Sequence, residues 1–492
     1  MTLSSITETY RRALPEGELV HFSLSPFDRL GIPNQSATFF PPDGRTRGGT
    51  GYGTSDAAAL VSALGETTEE YAASRGVTQM PIIEGSLAEL QRERGENGVC
   101  DPRKLTLNAG SPFSPDMPRR WLEVSCWPSG EPVLVPIEYV ATYGGDLGGG
   151  DYTPLVTPIT NGLGAGLTKE AAIAHGLLEL LQRDGNGLQI RALASPIALD
   201  QSTISDPIAR DLLDKFDAEG VDVEIKVAST EWGFVNLYVA GIDREETPVS
   251  ALVSAAGGEA SHPVAAVALR KALLEWAAAR ARLAFMHGPL DAVEKFTRPG
   301  YLAQMRSDFS PHSQEKRALD AMTAWSQQSL QSARQHLQER VLRVDTRLAF
   351  SDLPDAGEAL SDDKVALCHE VVRRLNEAGY EVLVADFSAL AAQSGDVFAV
   401  KVIVPGLEVE TLSYGRIGVR NARRLLERAD VRLVARGQQP EGGRRIHLLP
   451  EDEVALGGPL WLDWPAVERL LGPLYALYRE PGRHAVPFSL DS

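Results

Sequence analysis

The sequence predicts a mixed α/β (α+β) fold with mixed sheets and packed helices, and three observations predict it. Residues 121–143 alternate and are β-rich (W-L-E-V-S-C-W, then V-L-V-P-I-E-Y-V), which reads as paired strands. Long helices rich in small residues are interspersed with such stretches. The clearest is the helix within 161–184, where Ile173, Leu177, Leu180 and Leu181 recur at helical spacing and form one buried stripe. Near the end, a helix at 366–378 and strands at 381–386 and 397–404 make an α/β unit.

In chain order, residues 1–30 read as an N-terminal arm, 31–430 as the main domain and 431–492 as a C-terminal extension. Residues 39–53 are rich in glycine, proline and charge and read as a loop, followed by a helix at 57–74. Residues 79–116 have the same loop-like composition. Residues 143–152 contain five glycines without periodicity, so they are expected to be a disordered tip or a lid over a site. Then comes a glycine-rich loop (Gly162, Gly164, Gly166) with Thr168 as helix N-cap, an arrangement suited to anion binding. A helix ending at 218 and strands at 221–227, 234–242 and 249–256 follow, and then a helix at 264–286. Residues 313–340, with Leu319, Met322 and Leu330 at helical spacing, read as a surface helix or a homodimer contact.

With 48 Lys and Arg against 66 Asp and Glu, the net charge is −18. That balance argues against nucleic acid as a partner, since phosphate backbones require clustered cations. Cys100, Cys126 and Cys368 are too scattered for a disulfide framework or a paired-cysteine zinc site. The N-terminus has no basic-then-apolar signal and no run of about 18 apolar residues occurs, so no membrane association and a cytoplasmic location are expected.

Three helices carry acids in their C-terminal parts. The first, G-Y-G-T-S-D-A-A-A-L-V-S-A-L-G-E-T-T-E-E-Y, holds Glu66 and Glu69. The second, N-G-L-G-A-G-L-T-K-E-A-A-I-A-H-G-L-L-E-L-L-Q-R-D, holds Glu179 with Gln182 and Arg183 on the same stretch of surface. The third, beginning H-P-V-A-A-V-A-L-R-K, holds Glu275. With the later V-F-A-V-K-V-I-V-P-G-L-E, their order and wording resemble the YcaO family over about residues 28–430.

The resemblance implies an enzyme of the cyclodehydratase or thioamide-forming type that uses ATP to activate a backbone amide oxygen of a ribosomally made peptide. Azoline, amidine or thioamide products would result. It implies Mg²⁺ held by Glu66, Glu69, Glu179 and Glu275, and ATP contacts from Ser62, Asn161, Thr168, Glu179, Gln182, Arg183, Arg280, Lys401 and Arg416. Arg420 is a further candidate for phosphate or peptide carboxylate. A peptide substrate and a partner protein that binds its leader or delivers sulfur are expected, because no leader-binding module is recognisable in the chain. The departures from the pattern are Tyr52 for a lysine, Glu70 for an arginine, Ala171 and Gln182 for glutamates, and Ala278 for a glutamine. Glu170, one residue before Ala171 and about 100° round the helix, is the expected substitute. A Pro-x-Pro-x-Pro ending is absent, and His175 reads as a packed core residue. These changes support the alternative of a non-catalytic homologue that binds the peptide or activates a second protein.

Overall fold

A computed structural model describes the chain except residues 1, 43–45, 190–195, 246–250, 308, 310–314, 389–395, 410–413, 429 and 491–492. Four sheets carry the architecture. A three-stranded antiparallel sheet joins Glu18–Ser23, Asn34–Phe40 and Arg47–Tyr52. The largest sheet lines up Ile83–Ser86, Pro118–Trp127, Val382–Asp386, Phe398–Ile403 and Leu163–Gly166, with Pro132–Pro136 paired to Pro118–Trp127. A third orders Gly258–His262, Val235–Asp243, Val221–Ser229, Ile197–Leu199 and Thr346–Leu348, the last pair running parallel. A small sheet in the C-terminal extension joins Val434–Arg436, Leu460–Asp463 and Gly443–Arg445.

The three motif helices span Asp56–Val77, Lys169–Gln189 and Ala265–His287. The first is capped by Ser55, whose hydroxyl accepts from the Ala58 N–H, and the second by Thr168, which accepts from the Ala171 N–H. The third has no side-chain cap at Val264; the His262 ring accepts from the Val264 N–H instead, and Asp355 from the Ala265 N–H. Each of the three follows a glycine-bearing strand. A Cβ on Gly51 would fall 2.1 Å from the Ala63 nitrogen, and one on Gly164 would fall 2.1 Å from the Ala172 carbonyl oxygen. Backbone thus meets backbone, which only paired small residues allow. The glycines of the central stretch therefore serve packing: Leu163–Gly166 is an edge strand paired antiparallel with Phe398–Ile403, and not the flexible anion-binding loop expected from its composition.

Other expectations change with the structure. The first 30 residues form a helix, Leu3–Ala13, and a strand that pairs with Asn34–Phe40, so a boundary at residue 30 cuts through a sheet. Residues 79–116 contain a strand and the helix Leu87–Arg94, started by a Ser86–Glu89 capping box. The second strand expected within 121–143 stops at Pro136, and a short helix, Ile137–Val140, follows. The glycine-rich 143–152 segment is pinned down. Asp146 accepts from Thr142, Tyr143 and Ser74, while Arg120 donates to the Leu147 and Gly149 carbonyls. The strand expected at 249–256 falls partly on residues outside those described; Ala251–Ala255 is a 3-10 turn, and the strand is Gly258–His262. The part of 313–340 that is described forms two helices, Lys316–Gln327 and Leu330–Arg340, with Met322, Trp325 and Leu337 buried.

Candidate functional site

The motif helices converge on one cavity of about 840 Å³. From the first helix it is lined by Ser62, Glu66 and Glu69, at i, i+4 and i+7. From the second come His175, Glu179, Gln182 and Arg183; from the third, Lys271, Glu275, Ala278 and Arg282. Each set is a single helical face. Tyr52 lies at the end of the strand Arg47–Tyr52, and Leu3 and Tyr10 of the N-terminal helix complete part of the wall. Glu66, Glu69, Glu179 and Glu275 thus share one space, although Glu66 and Glu275 are 209 residues apart in the chain.

Each of these acids is held by a local contact or by crowding. The Thr50 N–H donates to Glu66 Oε2 at 2.7 Å, and the Gly162 N–H to Glu179 Oε2 at 2.9 Å. The Tyr52 hydroxyl donates to Glu275 Oε2 at 3.0 Å. Burial, with Glu70 and Glu179 adding repulsion, pushes Glu66 up to about 8. Burial and Glu259 push Glu275 to about 7, and Glu69 is raised by burial, Glu66 and Glu179. Facing them, Arg183 donates to Glu259 Oε2 at 2.9 Å and lies 3.6 Å from Glu179. Arg282 is gripped by Glu480. Carboxylates crowded into a buried space at the cost of raised proton affinity suit a divalent cation, which would relieve their repulsion. Among the described residues no three His, Cys, Asp or Glu side chains form a ready-made shell. Such spacing fits Mg²⁺, which takes one or two carboxylates and completes its octahedron with water and phosphate oxygens.

The remaining expected residues lie elsewhere. Thr168 is an exposed helix cap. Arg280 is wholly buried in ion pairs with Asp28 and Asp243. Asn161, Lys401 and Arg416 line a separate small cavity. There Asn161 donates to the Val409 carbonyl, Lys401 to Ala141 and Ile159, and Arg416 to Leu105 and Thr106. Arg420 pairs with Asp184 and Glu231. Glu170, the expected substitute for the lost glutamate, is not in the cavity wall; its charge is felt by Cys368 on the other side of the helix. Glu70 bonds Tyr143 and the Gly48 N–H. His175 is no core residue: it lies exposed along the cavity wall.

Sequence reasoning missed Lys271, Arg282 and Glu259. The signal for Arg282 was present. It lies seven residues after Glu275, only about 20° round the helix, whereas Arg280 lies about 140° away.

The model of the family described as YcaO cyclodehydratase, ATP- and Mg²⁺-binding, matches residues 50–408. An uncharacterized protein of Methanothermobacter thermautotrophicus is 26% identical over 405 residues, covering 80% of this chain and 90% of its own. In fold, the chain is similar to a heterocyclase solved in complex with substrate and cofactor (TM-score 0.59, 18% identity, 85% of this chain). It spans about half of that protein, 54%. It is also similar to YcaO from Methanopyrus kandleri bound with AMPPCP and Mg²⁺ (TM-score 0.52, 20% identity, 85% of this chain and 94% of that one). A chain of the E. coli microcin synthetase McbBCD complex aligns with a TM-score of 0.50 at 14% identity over 80% of this chain and 93% of that one. ATP and Mg²⁺ are the cofactors of the matched family. Since the match takes in all three acid-bearing helices and ends at the Pro405-Gly406-Leu407-Glu408 turn, this chain belongs to the YcaO family.

Proposed function

We propose that this protein uses ATP and Mg²⁺ to activate a backbone amide of a ribosomally made peptide, leading to an azoline, amidine or thioamide. The observation that carries the reading is the meeting of four carboxylates and three cations from three helices in one cavity large enough for a nucleotide. Glu66, Glu69, Glu179 and Glu275 would hold Mg²⁺, one or two of them to each ion, and Arg183, Lys271 and Arg282 would neutralise phosphate oxygens. Bound ATP supplies an electrophilic phosphorus for the amide oxygen. The protein's own residues hold the phosphates in place and screen their charge, and Gln182 and Ser62 offer neutral hydrogen bonds beside them. A peptide brought by a second protein is the substrate, and the assembly proposed for the chain itself is a homodimer.

Calorimetry with ATP and Mg²⁺ tests this. Micromolar binding, lost in both Glu179→Ala and Glu275→Ala, is expected; millimolar or undetectable binding to the wild-type chain overturns it.

One observation favours a second reading, in which the chain holds a peptide or activates another protein without catalysis. Tyr52 stands where the first motif has a lysine and already bonds Glu275, while Ala278 offers no polar atom. Peptide binding that persists without any nucleotide affinity would select this reading.

A further inference from the structure

The region matched by the family model ends at residue 408, yet an acid far beyond it grips an arginine of the cavity wall. Glu480 receives both terminal nitrogens of Arg282: NH1 donates to Oε2 at 2.6 Å and NH2 to Oε1 at 2.7 Å. This two-pronged geometry fixes the plane of the guanidinium as well as its position. Burial acts to raise the Glu480 carboxyl, but the Arg282 charge and its two hydrogen bonds, with the His287 ring 3.7 Å away, outweigh it, and the group stays ionised. The segment holding Glu480 is itself anchored. The His484 N–H donates to the Met286 carbonyl at 2.8 Å, and Arg483 donates to Thr38 Oγ1 at 3.0 Å and to the Tyr301 hydroxyl at 3.3 Å. The C-terminal extension is therefore fastened to the end of the third motif helix, one turn from the arginine that its acid grips.

An unrestrained arginine loses rotamer freedom when it binds an anion, and one already held in place avoids much of that loss. The Arg282 charge also acts on Glu66 and Glu275 across the cavity, so without Glu480 those acids are the ones left to attract it.

We propose that Glu480 is a positioning residue for the nucleotide cavity, holding Arg282 to meet phosphate oxygens and keeping it off the metal-binding acids. This rests on the nucleotide reading above. The test is a double-mutant cycle read by calorimetry with ATP and Mg²⁺ on the full chain: wild type, Glu480→Gln, Arg282→Met and the pair together. Glu480→Gln is expected to weaken binding about tenfold, Arg282→Met at least as much, and the double variant no further than Arg282→Met. Losses that multiply in the double variant would mean that Glu480 acts on folding and not through Arg282. Unchanged or tighter binding by Glu480→Gln would also overturn the proposal. Should that variant unfold, Glu480→Asp, which keeps the charge but shortens the reach, carries the same comparison. A wild-type chain that binds no nucleotide sinks the cavity reading and this one together; a binding wild type with an unaffected Glu480→Gln sinks this one alone.

Discussion

Tyr52 and Glu275, separated by 223 residues, are joined by a 3.0 Å hydrogen bond across the mouth of three helices. The phenol occupies the place of a motif lysine and satisfies an acid that would otherwise be buried with Arg183 and Lys271 as its nearby counter-charges. Tyr52→Phe is expected to cost about 1 kcal/mol of stability by chemical denaturation, since a buried acceptor loses its donor. Tyr52→Lys places a cation in the cavity and should tighten ATP binding on the order of tenfold. Weaker binding by the lysine variant would show that the phenol has its own contact with the ligand.

Gly164→Ala should be among the most damaging single-methyl changes in the molecule. The added Cβ would meet the Ala172 carbonyl at 2.1 Å, forcing the strand Leu163–Gly166 off the second motif helix. A loss of about 3 kcal/mol is expected in a urea titration. A loss below about 1 kcal/mol would show that the two elements slide apart without strain.

Arg280→Met leaves Asp28 and Asp243 as buried acids with a counter-charge removed. Loss of one partner from such a cluster costs about 3–5 kcal/mol. Thermal melting should fall accordingly, while the ATP affinity of whatever remains folded stays that of the wild type. A selective loss of affinity would return Arg280 to the nucleotide site.

Lys401 sets a pH dependence. Burial pushes its amine from an ordinary 10.5 down to about 7. Below about pH 7 both folded and unfolded chains carry the proton and the group adds no slope. Between about 7 and 10.5 the unfolded chain binds more protons, so the stability contribution rises with pH. Denaturation of wild type and Lys401→Met at pH 7 and pH 9 should show the difference moving in favour of the wild type at the higher pH. A constant difference contradicts the assignment.

Helix faces were the legible part of this sequence. Glu66 with Glu69, and Glu179 with Gln182 and Arg183, sit at spacings that put each pair or trio on one side of a helix, and the structure places them in the same cavity. What spacing does not carry is the direction in which a face points once the chain has packed. Thr168, Asn161, Lys401 and Arg416 carry polar groups that belong equally well to caps or to buried backbone carbonyls, and they are found there. Glycines mislead for a related reason. Composition reports that a position tolerates no side chain, but the loops expected at 143–152 and 162–166 are a pinned turn and an edge strand. Glu480 was invisible, because its role depends on a contact with Arg282 that spans 198 residues.

Leu3 and Tyr10 lend the cavity a wall that belongs to an eleven-residue helix at the very start of the chain. Removing residues 2–14 is expected to open this side of the cavity while leaving Glu66, Glu69, Glu179 and Glu275 on their helices.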